Sequence, residues 1–321
     1  MLPSIFRFKP YYKTVIWGGD KIGSYKGIDT GVENVGESWE ISSVLGHESH
    51  VADGPFADLT IGDLTERFTD TLVGTRVYQQ YGDTFPLLIK IIDAHSNLSV
   101  QVHPNDELAR QRHNCPGKNE MWYVIDSEPD ANIYCGLAEP LTPETYDRHI
   151  AEDSILDAVK RHKSRPGQFY YIPAGTLHAI GAGNLIAEIQ QASDITYRVY
   201  DYDRLDADGH PRQLHTEQAR DAIDYTFPYP VHPMGELIDR TTRDAIATPY
   251  FKVDYITGSG ESFDIAHDGD TFVIVMVTDG HADIVINGER HRVDRGNTVL
   301  VPAIVRNFDI DIDGDALVVK A

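Results

Sequence analysis

The sequence predicts a mainly β protein, a barrel or sandwich rather than a parallel sheet, and three features carry that expectation. Short runs rich in Val, Ile, Tyr and Phe recur along the chain, each bounded by Gly, Pro, Asn or Asp. Helical periodicity is confined to a few short stretches. Residues 167–178 (GQFYYIPAGTLH) and 296–307 (GNTVLVPAIVRN) share a Gly, a run of five strand residues and Pro-Ala. Both halves of the chain are therefore expected to hold the same barrel unit.

Taken in order, a helix is expected over 60–72. Thr60 stands at its N-cap, and Ile61, Leu64, Phe68 and Leu72 fall on one face. Strands follow at 85–92, 97–103, 121–125 and 131–137. Short helices are expected at 142–150 and 154–162, opened by Thr142-Pro143 and by Ser154. Strands resume at 168–173, 184–191 and 196–202, and another helix starts after Thr216. Residues 226–235 carry three prolines between 228 and 233 and read as a linker. Beyond it come strands at 250–256, 271–277, 282–286, 297–302 and 316–319. Asn287-Gly288 suits a type I′ hairpin turn.

Lys and Arg total 28 against 50 Asp and Glu, a formal charge of -22 with a pI near 4.9. Such a field repels nucleic acid and anionic membranes. An anionic substrate would have to meet a local cluster of Lys and Arg. The two cysteines, Cys115 and Cys135, form no CxxC pair and read as reduced thiols. The N-terminus has no signal-type apolar core, and no run reaches the ~20 apolar residues of a membrane span. The expectation is a soluble cytoplasmic protein.

In Ser99-Val100-Gln101-Val102-His103, polar residues alternate with valines, so Ser99, Gln101 and His103 share one face of a strand. Glu120 opens the next strand. His178 ends the first copy of the repeated segment, where the second copy has Asn307. The barrel can thus be built without that histidine, which points to chemistry. A lone histidine would read as a core or surface residue. Two histidines, a carboxylate and an amide oxygen on adjacent strands suit a divalent ion, zinc best, with iron, manganese or nickel as alternatives.

Ile16-Trp17-Gly18-Gly19, Glu37-Ser38-Trp39-Glu40, LSVQVHP (98–104), Gly117-Lys118-Asn119-Glu120 and PAGTLH (173–178) resemble the type I mannose-6-phosphate isomerases. The likeness is to the short bacterial branch of that family, within the cupin superfamily. It implies two cupin-type jelly-roll barrels with a few inserted short helices. Residues 1–230 would form a catalytic domain, and 231–321 a degenerate one without a metal site. It implies that Gln101, His103, Glu120 and His178 bind one zinc ion. Arg198 matches the active-site arginine, and Lys118 and Glu188 match polar residues around the sugar. Lys90 and Ser99 fall at phosphate-contacting positions. Arg204 stands where a lysine is expected, and Asn119 where the family has Pro or Thr.

Interconversion of mannose 6-phosphate and fructose 6-phosphate needs a proton moved between adjacent carbons through an enediol. The base is open between Glu188, Lys118 and a metal-activated water. Glu188 also reads as a rim carboxylate paired with Arg198 or Lys118, Lys90 as a snorkelling edge lysine, and Trp17 and Trp39 as packing residues. In the second half, His267, His281, His291 and Asp270 are scattered, so that half reads as structural. A metal-dependent cupin oxygenase and a non-catalytic sugar-phosphate-binding protein are the alternatives, and a monomer or a homodimer is compatible with the sequence.

Overall fold

Alternation along each strand sorts side chains onto two faces, and those faces stack three antiparallel sheets. The computed structural model describes residues 2–206, 208–227, 233–234 and 245–321. The chain is mostly β with few helices, as expected. A seven-stranded sheet runs in the order Pro233–Met234, Phe169–Ile172, Glu120–Ser127, Asn184–Gln191, Leu87–Ala94, Val35–Ile41, Tyr11–Gly19. Its central strands Leu87–Ala94 and Asn184–Gln191 are buried at every position. One face, with Ile89, Ile91, Met121, Ala187 and Ile189, packs on Val253, Ile274, Leu317 and Val319 of an eight-stranded sheet. The opposite face, with Ile92, Trp122, Tyr170 and Ile186, packs on Ile133, Cys135 and Ile180 of a five-stranded sheet. That sheet runs Tyr197–Tyr200, Val100–Val102, His178–Ile180, Asn132–Leu137, Val159–Lys163.

The eight-stranded sheet joins the two ends of the chain. Phe6–Lys9 pairs with Thr298–Val301, Phe6 opposite Leu300. Its long strands Lys252–Ala266, Val273–Ile286 and Asn307–Lys320 turn a corner where Gly258, Gly314 and Gly280 stand side by side. A Cβ on Gly280 would lie 1.9 Å from the Asp313 carbonyl oxygen, so the corner admits no side chain there. A second apolar core, including Val275, Ile284, Val299, Phe308 and Val318, fills this half. The corner also explains why the separately expected strands 271–277 and 282–286 are one strand, bent at a bulge between Val277 and Asp279. Asn287 and Gly288 form the hairpin turn with φ of 50° and 84°, as the type I′ reading requires.

Helix Ile61–Val73 starts at Thr60, whose side chain accepts from the Asp63 amide while Asp63 accepts from the Thr60 amide. Helices Pro143–Ala151 and Thr216–Ala222 also follow the expectation. The helix expected at 154–162 does not form. Ile155–Ala158 makes one 3₁₀ turn, and Val159–Lys163 is an edge strand against Asn132–Leu137. Lys160, Arg161 and Lys163 are like charges that an edge strand spreads into solvent. Of the linker expected at 226–235, residues 228–232 and 235 lie outside the described residues, and Pro233–Met234 pairs with Tyr170 and Phe169. Helix Asp106–His113, capped by Asn105, was not foreseen. Among the described residues no helix is long and apolar enough to cross a membrane.

Candidate metal centre and active-site cavity

The site lies where the five- and seven-stranded sheets face one another. Gln101 pairs directly opposite His178 in the five-stranded sheet, and Arg198 opposite Gln101 on its other side. Glu120 begins a strand of the facing sheet. His103, Glu120 and His178 are all buried, and their candidate ligand atoms lie within 4.8 Å of one another. Each histidine Nε2 stands 3.3 Å from a different oxygen of Glu120. His103 Nδ1 is 2.8 Å from the Ile195 carbonyl, and His178 Nδ1 is 2.8 Å from the Thr176 carbonyl. Both Nδ1 therefore carry the proton and donate outward, which leaves both Nε2 lone pairs aimed at the centre. Burial, reinforced by Lys118, pushes His103 down to about 3, and burial lowers His178 as well. Both rings are neutral near pH 7.

Burial alone would raise Glu120, but the Lys118 ammonium holds its carboxyl well below the usual range. Neither oxygen of this buried carboxylate has a well-directed hydrogen bond. Two neutral imidazoles and a buried carboxylate converging on one point fit a divalent cation. The Gln101 amide nitrogen lies 3.2 Å from His178 Nε2. Turning that isosteric amide over brings its oxygen to the same side as a fourth donor.

Lys118 reaches the centre because its loop is tied down. Asp106 Oδ1 accepts from the Gly117 amide and from Gln191 Nε2. A Cβ on Gly117 would lie 2.5 Å from the Asp106 nitrogen, so only glycine allows this approach. Lys118 Nζ then stands 2.8 Å from Glu120 and 3.1 Å from His103 Nε2. Asn119, the departure from the family pattern, turns away from the centre: its amide donates to Gln191 and its oxygen accepts from the Ala174 nitrogen.

Beside the centre opens a cavity of about 350 Å³, lined by Lys90, Ser99, Gln101, Lys118, Glu188 and Arg198 among others. Six of the ten residues expected at the site thus line one space, with three more clustered at its metal end. Lys90 is buried between Glu37 at 3.3 Å and Glu188 at 3.1 Å. Each carboxylate also takes an indole N–H, Glu37 from Trp39 at 2.7 Å and Glu188 from Trp122 at 2.8 Å. Burial opposes ionisation of Glu37, yet Lys90 and Lys13 hold it down to about 2. Lys90 is raised, its two carboxylates outweighing burial. Arg198 is lowered by burial and by Arg212. Its Nη1 donates to the Gln213 carbonyl, and its buried Nε has no partner.

Arg204 is the exception. It does not line this cavity but a smaller one beside it, where it is bound to Asp201. The cavity also contains residues to which no role was given: Glu37, Asp194, Thr196, Arg212 and His215. For Glu37 a signal existed, since its alternation with Trp39 puts both on one strand face. For Arg212 and His215, in an irregular segment, none did. Among the described residues, no second His, Cys, Asp and Glu group of metal-binding geometry occurs, so His267, His281, His291 and Asp270 remain scattered.

A buried His–Glu–His cluster beside a polar cavity, set between antiparallel sheets, defines a metal-binding β enzyme. A family model for the catalytic domain of type I phosphomannose isomerases matches residues 5–133. The chain is 35% identical over 307 residues to mannose-6-phosphate isomerase ManA of Bacillus subtilis, covering 95% of each. It is 33% identical to a mannose-6-phosphate isomerase of Streptococcus mutans, over 93% of this chain and 92% of that one. The crystal structure of the Bacillus subtilis mannose 6-phosphate isomerase aligns with a TM-score of 0.86 at 33% identity, covering 99% of this chain and 100% of that one. A phosphomannose isomerase structure from Salmonella typhimurium, 15% identical with a TM-score of 0.78, shares the fold. The chain belongs to the type I mannose-6-phosphate isomerases. The oxygenase and the non-catalytic alternatives are set aside.

Proposed function

We propose that this chain interconverts mannose 6-phosphate and fructose 6-phosphate, using a zinc ion held by Gln101, His103, Glu120 and His178 and passing a proton between C1 and C2 through an enediol. The observation that carries the reading is the placement of the His103–Glu120–His178 cluster beside a cavity walled by Lys118, Glu188 and Arg198. When bound, the ion supplies a Lewis acid for the sugar's oxygens. The chain's own residues do the rest. Arg198 offers a guanidinium with an unused Nε to the oxyanion that develops as the carbonyl migrates. Lys118 and Glu188, both on the cavity wall, are assigned to carry the proton. Glu188 is oriented by the Trp122 indole and charge-balanced by Lys90. Ser99 supplies a hydroxyl for the phosphate end. Lys90 faces the same space, but its charge is already matched twice, so most of the compensating charge falls to arginines.

Both cysteines are free thiols, which supports work in a reducing cytoplasm. The test is a coupled assay with mannose 6-phosphate, run as purified, after chelation and after zinc is added back. Activity should vanish on chelation and return with zinc. A fully metallated protein with no turnover, or a rate indifferent to chelation, overturns the reading. Arg198→Ala should keep its metal and fold while turnover collapses. An unchanged rate at wild-type metal content removes Arg198 from its role.

A further inference from the structure

A phosphate dianion has to be met by positive charge in a chain of formal charge -22. Next to the cavity, three arginines gather near a single buried carboxylate. Asp201, 5% exposed, accepts on Oδ2 from Arg212 Nε at 2.7 Å and on Oδ1 from Arg212 Nη2 at 2.5 Å. Arg204 Nη2 donates to the same Oδ1 at 2.5 Å. The arginine contacts outweigh burial and hold Asp201 below the usual carboxylate range. One negative charge thus answers two guanidiniums, with Arg198 close enough to feel both.

The two arginines on Asp201 differ in what they have left to offer. Arg204 is used on every nitrogen: Nε on the Asp201 carbonyl, Nη1 on the Asn97 carbonyl and Nη2 on the Asp201 carboxylate. Arg212 commits only the Nε–Nη2 edge, leaving Nη1 outside the pairing. It lines the cavity with Arg198 and Ser99, and Arg204 does not. The segment that carries Arg212 is pinned to Arg198. The His215 amide donates to the Arg198 carbonyl at 2.7 Å, and Arg198 Nη1 donates to Gln213.

We propose that Arg212 binds the substrate phosphate, and that Arg204 is a positioning residue that holds Asp201 and through it the Arg212 fork. This rests on the reading that the substrate is a sugar phosphate. Planar forks suit a tetrahedral dianion better than point charges do.

The experiment compares Arg212→Ala and Arg204→Ala with the wild type in two ways: steady-state kinetics on mannose 6-phosphate, and calorimetric binding of inorganic phosphate to the metal-loaded protein. Arg212→Ala should raise KM roughly ten- to hundred-fold, with kcat falling far less, and weaken phosphate binding in parallel. Arg204→Ala should have a smaller effect of the same kind, restored by Arg204→Lys, which can still reach Asp201. Thermal unfolding reports whether each variant is folded, and Arg212→Gln serves if the alanine variant is not. A folded Arg212 variant with wild-type KM and phosphate affinity overturns the assignment. So does a larger loss in Arg204→Ala than in Arg212→Ala. If the wild type does not turn over mannose 6-phosphate, the isomerase reading has failed, and phosphate calorimetry still decides the arginine.

Discussion

Lys118 Nζ lies 2.8 Å from Glu120 Oε2 and 3.1 Å from His103 Nε2, so an ammonium presses against two of the atoms an ion would use. In the metal-free centre it supplies the charge that a buried carboxylate demands. Once a dication is bound, the same lysine is a like charge at close range. Compensation and competition are properties of one contact, and they separate on mutation.

Lys118→Met is therefore expected to hold metal at least as tightly as the wild type while turnover falls on the order of a hundred-fold or more, the scale of a lost acid–base or electrostatic contact. Metal content after a timed chelator challenge, read beside the coupled assay, checks both halves. If metal and activity are lost together, Lys118 supports the centre structurally instead.

His178→Ala removes an Nε2 donor from a cluster whose fourth member is a neutral amide. Three donors, one of them weak, should not retain zinc through dialysis, and metal per chain should fall close to zero. Elemental analysis of the dialysed protein decides it. Near-stoichiometric zinc in a folded His178→Ala protein would place the ion on other residues.

The gathering of the candidate metal ligands was legible in part because strand alternation is a local rule. Gln101 and His103 share a face by parity alone, and the contrast of His178 with Asn307 in the repeated segment marked a residue the fold does not need. The expected strand at 184–191 matches the observed one residue for residue, since a doubly buried strand leaves an unbroken apolar run. Lys118 was reachable only through family resemblance, because its place depends on a loop tied to Asp106 across 11 residues of sequence. Arg212 and Arg204 could not be ranked from sequence. Which arginine keeps a free edge is settled by Asp201 and the Asn97 carbonyl, the latter 107 residues from Arg204. The 154–162 segment failed for another reason: Ser154 resembles a cap, but pairing with Asn132–Leu137 outweighs helix propensity.

Lys90 sits between Glu37 and Glu188, and the three residues do not contribute alike. Lys90→Met leaves two buried carboxylates facing each other and should cost about 3–5 kcal/mol. Glu37→Gln still leaves Lys90 paired with Glu188 and keeps a hydrogen-bond acceptor for Trp39, so its cost should be clearly smaller. Denaturant midpoints of the two metal-free variants supply the comparison. Equal losses would mean that Glu188 alone cannot neutralise Lys90.

Titration of the metal-free protein should show two windows. His103 is held down to about 3 in the folded chain, with His178 lowered too, against an ordinary value near 6.5. As pH falls below about 6.5, the unfolded chain takes up protons that the native centre refuses, so stability drops by up to about 1.4 kcal/mol per pH unit for each histidine. Glu37, held at about 2, and the depressed Glu120 act in the same direction but later. Their stabilisation is complete above the unfolded carboxylate range near 4.3 and is lost as pH falls through it toward the folded values. Denaturant midpoints of the metal-free protein between pH 7 and 4 should therefore decline from the first step below pH 6.5. His103→Gln should make the decline above pH 5 shallower, with His178 still contributing, and leave the acid limb in place. A profile level down to pH 5 in the wild type would mean that the imidazoles accept protons in the folded chain, and the centre would not then present two neutral donors at neutral pH.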